Sequence, residues 1–360
     1  MTSSHLPDHR QMPSRKLIGG IFGLESVAPS GTGQASLPNN LHGEWQGYVN
    51  GRSALNALWQ TSAPSRIWLP AYLCPSVATA AARCAPVTFC DRGATAWLDE
   101  VQVGDSVLFL AEFGFPPDRE SVATARARGA KVVVDACQAL LTDDACDGAD
   151  YAIFSPRKFL GVVDGGVLVA PRGAPLPNET LSPPPATWLE QATLAAQARA
   201  EFDRGAGKST PNERDWFPLY QQVEATQPVG PYAMGDLSQS ILSGKVDWQT
   251  IRTRRRSNYQ SLLAKLKPFA LYPELPAGVV PLGFPIRLEN RDHVRSALFA
   301  DEIFPPIHWP LHELTPAECV HAWRLSRSLL TLPCDQRYDA AEMQRSIEIV
   351  LREGRPCLGT

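Results

Sequence analysis

Short apolar runs alternate with helical patterns through the first half of the chain. Six of these runs have the length and composition of strands and end near proline, glycine or a polar residue: 66–70, 86–91, 105–114, 131–134, 151–154 and 166–169. Helical spacing covers the segments between several of them: 51–60, 71–84 and 118–130. This alternation predicts βαβ units, and therefore an α/β fold with a mostly parallel central sheet.

The pattern changes after about residue 170, where a proline-rich segment is followed mainly by helices. Helices are predicted at 189–204, 231–242, 246–267, 291–303, 316–329 and 338–352, and one more strand at 283–288. We predict three parts: an N-terminal tail and arm over 1–40, a large domain over 41–245 and a smaller C-terminal α+β domain over 246–360. The apolar, glycine-rich residues 17–25 are interpreted as an arm packed on the body, with a lid near a substrate as the alternative.

Composition excludes several classes of function. The formal net charge is −3, without a basic excess, so nucleic acid is not an expected partner. No apolar run approaches the roughly 20 residues of a membrane span, and the N-terminus lacks the apolar core of a secretory signal. The 8 cysteines are scattered without a CxxC pair, which predicts reduced thiols, a cytoplasmic protein and no metal site.

Polar residues stand where two predicted strands stop. Asp135 ends the run KVVVD, Ser155 follows YAIF, and Lys158 comes three residues later. In open α/β sheets ligands bind at the carboxyl ends of strands. A lysine there can form a Schiff base with a carbonyl cofactor, and an aspartate can pair with a pyridinium nitrogen. Taken singly, Lys158 is more simply a loop lysine and Asp135 a strand-end cap.

The helix predicted at 51–60 begins with Gly51, Arg52 and Ser53. Free backbone N–H groups and a hydroxyl at a helix start form an anion site that suits a phosphate. An ordinary helix N-cap is the alternative interpretation.

Three consecutive arginines, Arg254, Arg255 and Arg256, lie within the helix predicted at 246–267. They could indicate an anion site. We interpret them instead as a solvated helix face or an ion-pair face between subunits, because charge runs more often have that role.

The order and spacing of these features resemble the fold type I pyridoxal phosphate (PLP) enzymes, and more narrowly the DegT/DnrJ/EryC1/StrS group of sugar aminotransferases. The resemblance rests on GRSALNAL, LPAYLCPSV, VVVDACQAL and DYAIFSPRKFLGVVDGGVLV, and is extended by RRRSNYQSL, FPIRL, PPIHWP and LTLPCDQRYDAAEM. It covers nearly the whole chain after about residue 17. It implies a large PLP-binding domain with a mostly parallel sheet, a smaller C-terminal α+β domain, and an active site at a homodimer interface.

The resemblance also implies a role for each matching position. Lys158 would form the Schiff base with the cofactor and then move a proton between the substrate carbon and the cofactor. Asp135 would keep the pyridine nitrogen protonated, so that the ring acts as an electron sink. The remaining implied contacts are Gln138 at the ring oxygen, Ser53, Ser155 and the backbone at Arg52 and Ala54 at the phosphate, Tyr72 or Phe113 over one ring face, and His308 and Trp309 near the substrate entrance.

The implied activity is transfer of an amino group from an amino acid, glutamate or glutamine, to a keto sugar or related biosynthetic intermediate. The alternatives are a PLP-dependent lyase or dehydratase of the same fold and a non-catalytic relative that binds a ligand. Retention of both Lys158 and Asp135 argues against the last of these.

The sequence departs from the family's pattern in two places. Ser155 precedes Lys158 by only three residues, a shorter spacing than is usual. The segment PYAMGDLSQ (231–239) lacks the asparagine that reaches the neighbouring subunit's phosphate in the family.

Overall fold

A seven-stranded sheet lies at the centre of the computed structural model, which describes residues 16–26, 37–41, 44–205 and 214–357. A short strand, β1 (Ile18–Gly19), precedes this sheet in the chain. The sheet consists of β2 (Trp45–Tyr48), β3 (Ile67–Pro70), β4 (Val87–Cys90), β5 (Ser106–Leu110), β6 (Lys131–Asp135), β7 (Tyr151–Phe154) and β8 (Gly166–Val169). Its strand order is β2-β8-β7-β6-β5-β3-β4.

Strands β7, β6, β5, β3 and β4 are parallel, whereas β8 is antiparallel to both of its neighbours. Apolar side chains cover both faces of the sheet, as parallel sheets require. In β6, Val132 and Val134 belong to one core cluster and Val133 to the cluster on the opposite face. The alternation follows from the two-residue period of a strand.

Within the described residues, six α-helices precede the C-terminal part: α1 (Gly51–Ser62), α2 (Pro75–Ala82), α3 (Arg119–Ala127), α4 (Ala186–Arg204), α5 (Trp216–Ala225) and α6 (Asp236–Leu242). Local capping explains where two of them begin. Asn50 Oδ1 accepts a hydrogen bond from Ser53 N at the start of α1, and Asp118 Oδ2 accepts one from Ser121 N at the start of α3.

The C-terminal part contains α7 (Trp248–Leu266), β9 (Phe284–Arg287), α8 (Arg291–Ala300), β10 (Ile303–Phe304), α9 (Val320–Ser328), β11 (Leu329–Leu332) and α10 (Ala340–Glu353). Strand β9 pairs antiparallel with β11, and β10 pairs in parallel with β1. The N-terminal arm, defined here as residues 16–26, therefore adds a strand to the C-terminal part.

The predicted strands and helices are confirmed, within a few residues at their ends, but β1, β2, β10, β11 and α5 were not foreseen, and Ile303, predicted as the end of a helix, begins β10. Strand β2 has only four residues and contains a glycine, so its pattern is weak. Strand β11 continues directly from α9 without a turn residue between them. The domain boundary between 245 and 246 stays a prediction. Residues 1–15 of the predicted tail, and residues 27–36, lie outside the described residues.

Candidate functional site

Most of the predicted site residues follow the ends of neighbouring strands at one edge of the central sheet. Tyr72 follows β3, Phe113 follows β5, Asp135 ends β6 and Ser155 follows β7. These four strands are parallel, so their carboxyl ends lie at the same edge. This is the edge where open α/β sheets bind ligands.

Asp135 is half-buried at the end of β6, and its Oδ1 accepts a hydrogen bond from Cys137 N at 3.0 Å. The thiol of Cys137 is buried. Burial raises the pKa of Cys137 well above its ordinary value, the Asp135 carboxylate raises it further, and the Lys158 ammonium opposes that increase. Asp135 and Lys158 thus both act electrostatically on the same thiol.

Lys158 is the last residue of a single helical turn, Pro156–Lys158, that follows β7. Its backbone N–H donates to Ser155 O at 3.1 Å, and its side chain is half-buried. No hydrogen-bond or ion-pair partner holds its Nζ among the residues that the structure describes. The amine is therefore available to a ligand.

Gln138 is buried, and only the oxygen of its side-chain amide has a hydrogen-bond partner among the described residues. Its Oε1 accepts a hydrogen bond from Phe113 N at 2.6 Å. Its Nε2 is buried without a partner among the described residues. A buried donor without an acceptor costs about 1–3 kcal/mol, so this N–H group indicates a place for a ligand acceptor.

Helix α1 begins at the same sheet edge. A Cβ atom on Gly51 would lie 3.4 Å from Cys137 Sγ, and one on Gly166 would lie 2.2 Å from Asn50 C. Only glycine at 166 allows β8 to approach the helix start this closely. The helix start is thereby brought against the ends of β6 and β7.

The four residues predicted to bind a phosphate are placed as follows. Ser53 is buried, and its Oγ accepts a hydrogen bond from Gly230 N at 3.3 Å. Ala54 N donates to Asn50 O within the helix, so the backbone N–H groups that helix geometry leaves free are those of Gly51 and Arg52. Ser155 Oγ lies 3.5 Å from Gly165 O. The phosphate contacts themselves stay predictions.

A chain of polar contacts joins the start of α1 to the residue before Lys158. Arg52 donates to Gln227 Oε1 at 2.5 Å, and Gln227 donates to Glu224 Oε1 at 2.7 Å. Arg157 donates to the same Glu224 oxygen at 2.8 Å. Burial lowers the pKa of Arg52. The sequence patterns did not reveal this chain, because Glu224 and Gln227 come from α5 and the loop after it.

Tyr72 and Phe113 are both fully buried, and both pack against Trp309. The ring centroids of Tyr72 and Trp309 are 5.4 Å apart, and those of Phe113 and Trp309 are 6.2 Å apart in a stacked arrangement. Burial raises the pKa of Tyr72. The choice between Tyr72 and Phe113 as the ring-covering residue stays open.

His308 packs against this aromatic group and lies close enough to Lys158 for its charge to act on the imidazole. Its ring centroid is 5.8 Å from that of Phe113, and its Nδ1 is 3.0 Å from Thr331 Oγ1. Burial lowers the pKa of His308 to about 3, and the Lys158 ammonium adds to the decrease. The imidazole is therefore neutral near pH 7, with Nδ1 engaged by Thr331.

A cavity of about 370 Å³ opens beside Lys158. His308, Thr331, Glu224 and Arg255 are among its polar lining residues, and small apolar residues of α4 form another wall. The N-terminal arm contributes Gly19–Phe22. The arm packs on the body and also lines the cavity, and the alternative that it is a lid near a substrate stays a prediction.

The interpretation of the arginine run as a solvated or intersubunit face was wrong for Arg255. Arg254 is exposed, but Arg255 has 0% exposure and donates to the carbonyl oxygen of Lys158 at 3.2 Å. Helical spacing could have revealed this, because Arg255 lies four residues before the buried Tyr259 and seven before the buried Leu262.

Neither a metal-binding cluster nor a membrane-spanning helix is found in the part of the chain that the structure describes. Within residues 16–26, 37–41, 44–205 and 214–357, no cluster of three or more histidine, cysteine or acidic side chains could hold a metal ion. Over these same segments, none of the helices is both long and apolar enough to cross a membrane.

Several solved structures that are similar to this chain at low sequence identity are aminotransferases. DesV from S. venezuelae, solved with a ketimine intermediate, is 18% identical over 86% of this chain and 84% of its own, with a TM-score of 0.62. A DegT DnrJ EryC1 StrS aminotransferase from Brucella abortus is 17% identical over 86% of both chains, with a TM-score of 0.58. NtdA from Bacillus subtilis, solved with bound cofactor PMP, is 16% identical over 86% of this chain and 73% of its own, with a TM-score of 0.60.

No protein-family model and no curated protein sequence matches the chain. The structural similarity establishes the fold: an α/β architecture with a mostly parallel central sheet, shared with these aminotransferases over most of the chain. The predicted fold class is confirmed.

Proposed function

We propose that this protein is a PLP-dependent aminotransferase of the DegT/DnrJ/EryC1/StrS type. The strongest support is the placement of three groups after the neighbouring strands β6 and β7 at one sheet edge: the amine of Lys158, the carboxylate of Asp135 and the amide N–H of Gln138, which is unpartnered among the described residues. A lysine amine and an aspartate are the groups that PLP needs for attachment and for its ring nitrogen. The names of the structural neighbours, one of them solved with PMP, agree with this proposal.

The residues present fit the cofactor. The buried Nε2 of Gln138 needs an acceptor, which the cofactor's ring oxygen supplies. The half-buried carboxylate of Asp135 is held by Cys137 and keeps a negative charge at the sheet edge, which would pair with a protonated ring nitrogen. The start of α1, with Ser53, suits the phosphate because helix N-termini bind anions.

When bound, PLP supplies an electron sink for a carbanion at the substrate carbon. Lys158 holds the cofactor and, once released, carries the proton to and from that carbon. Asp135 keeps the ring nitrogen protonated by placing a negative charge beside it. His308, neutral and held by Thr331 at Nδ1, orients the substrate by a hydrogen bond at its other ring nitrogen.

The finer parts of this function are also proposals. The donor is glutamate or glutamine, and the acceptor is a keto sugar or related intermediate, as the sequence resemblance implies. The enzyme works as a homodimer with the site at the interface. We place it in the cytoplasm, because all 8 cysteines are free thiols.

The purified protein with added PLP is expected to be yellow, with an absorbance band near the visible region. Borohydride should abolish the band, and peptide mass analysis should find the cofactor on Lys158. In a separate sample without borohydride, L-glutamate should convert this band to that of PMP. A colourless protein would overturn the cofactor assignment, and a yellow protein that glutamate does not convert would favour the lyase alternative.

His308 makes native stability depend on pH in a specific window. Its pKa of about 3 lies below the roughly 6.5 of an unfolded histidine, so the unfolded state binds more protons between these values. The native state therefore loses stability as pH falls through this window, and the contribution is fully present above it. We expect the free energy of unfolding of the wild type to fall more steeply than that of His308→Gln between pH 6.5 and 4, in denaturant titrations. Parallel curves would contradict this assignment.

A further inference from the structure

Arg255 is a buried cation whose hydrogen-bond partners among the described residues are neutral, with the Asp335 carboxylate acting on it electrostatically. Its exposure is 0%, and its Nε donates to Gln336 Oε1 at 2.8 Å. Its Nη1 donates to the carbonyl oxygens of Pro281 and Leu282 at 3.2 and 3.0 Å, and its Nη2 donates to that of Lys158 at 3.2 Å. Burying a guanidinium is costly, so each of these contacts matters to the charge.

Gln336 completes the contact with the segment that carries Lys158. Its Oε1 accepts from Arg255, and its Nε2 donates to Phe159 O at 2.5 Å. The Arg255 guanidinium also lies over the Phe159 ring, 4.5 Å from its centroid. Two side chains from the C-terminal part thus hold the consecutive carbonyl groups of residues 158 and 159.

The backbone on the other side of Lys158 is held by its own turn. Lys158 N donates to Ser155 O at 3.1 Å, and Phe159 N donates to Pro156 O at 2.8 Å. The peptide groups before and after Lys158 therefore both have fixed partners. The direction in which the Lys158 side chain leaves the backbone depends on these contacts, because the Cα–Cβ bond follows the backbone dihedral angles.

We propose that Arg255 and Gln336 are positioning residues for Lys158, holding the carbonyl groups of residues 158 and 159 so that the amine stays directed at its reaction partner. This inference rests on the proposed role of Lys158. It gives the C-terminal part a role in the chemistry that is separate from forming the cavity wall. A purely structural role predicts lost stability alone, whereas positioning predicts slower reaction at Lys158 in folded protein.

Gln336 is the sharper residue to change, because Arg255 also bonds the loop at Pro281 and Leu282. Gln336→Glu keeps an acceptor for Arg255 and removes the donor to Phe159 O. Arg255→Lys keeps the charge but cannot maintain all four contacts. The matched controls are Gln260→Glu and Arg254→Lys. Both positions are exposed on α7, the helix that also carries Arg255.

The test measures attachment and turnover separately. Each protein is mixed with PLP, quenched with borohydride after set times, and analysed for modified Lys158 by peptide mass. Thermal unfolding and the single-turnover rate with L-glutamate are recorded alongside. We expect Gln336→Glu and Arg255→Lys to slow both reactions by about 10- to 100-fold, the effect of misplacing a catalytic group by about 1 Å, while the controls match the wild type.

Folded variants that attach PLP and turn over at wild-type rates would overturn the inference, even with lowered thermal stability. If Arg255→Lys does not fold, the rates measured for Gln336→Glu alone decide whether the inference holds. A wild type that attaches no PLP would refute the proposed function first, and the inference with it. Normal attachment in the wild type with unchanged rates in the variants refutes the inference alone.

Discussion

Lys158→Ala is expected to lower aminotransferase turnover by about 10⁴-fold or more, because one change removes both the proposed attachment point of the cofactor and the proposed proton carrier. The structure supports this expectation. The amine lines the cavity and has no competing partner within the described residues. Turnover is measured with L-glutamate and a keto acceptor, and attachment by borohydride reduction and peptide mass.

The matched control for this change is Lys265→Ala, since Lys265 is exposed on α7 away from the cavity lining. It should retain wild-type turnover and a normal absorbance band. Thermal unfolding of Lys158→Ala should stay close to that of the wild-type protein without cofactor, because no hydrogen bond or ion pair joins the Lys158 side chain to the other described residues. A Lys158→Ala protein that still shows a yellow, borohydride-reducible band with added PLP and still turns over would exclude Lys158 as the attachment point.

Asp135→Asn is expected to leave PLP binding measurable while turnover falls by about 10²- to 10³-fold, the usual cost of removing a preorganised electrostatic group. Asparagine keeps an oxygen that can accept from Cys137 N, so the change removes the charge and little else. Asp135→Ala should lower turnover further, since it also removes the oxygen that accepts the hydrogen bond from Cys137 N. Cofactor content is measured by absorbance after denaturation, and turnover with L-glutamate.

Asp150→Asn provides the matched control. Asp150 Oδ2 accepts from Val132 N at 2.9 Å, a similar main-chain contact at the opposite end of β6. Its replacement should change stability slightly and turnover little. Equal losses of turnover in Asp150→Asn and Asp135→Asn would show that the effect is structural and would contradict the role of Asp135 at the ring nitrogen.

The sheet edge that carries the site was predictable because its signals are local. The apolar runs ending at Asp135 and before Ser155 and Lys158 are continuous in sequence, and parallel strands bring their carboxyl ends together. Neither the strand-end rule nor the sequence resemblance could distinguish Tyr72 from Phe113. Both rings follow strands of the same edge, and both pack on Trp309.

The arginine run shows the limit of local patterns. A run of like charges usually predicts exposed side chains, and Arg254 is exposed as predicted. Arg255 does not, because burial depends on what packs against its face of α7. That face carries Tyr259 and Leu262 as well, so a count of helical positions would have placed Arg255 inside but could not have named its partners.

The chain's own order of residues was enough to determine the α/β class, most helices and strands, and a candidate Lys158–Asp135 pair, because hydrogen bonding and burial repeat every two or 3.6 residues. Only the tertiary structure could decide what surrounds Lys158. Arg255 contacts its carbonyl group across 97 residues of sequence, and Gln336 contacts the next carbonyl across 177. Such contacts follow from how whole elements pack, and no short window of sequence contains both partners.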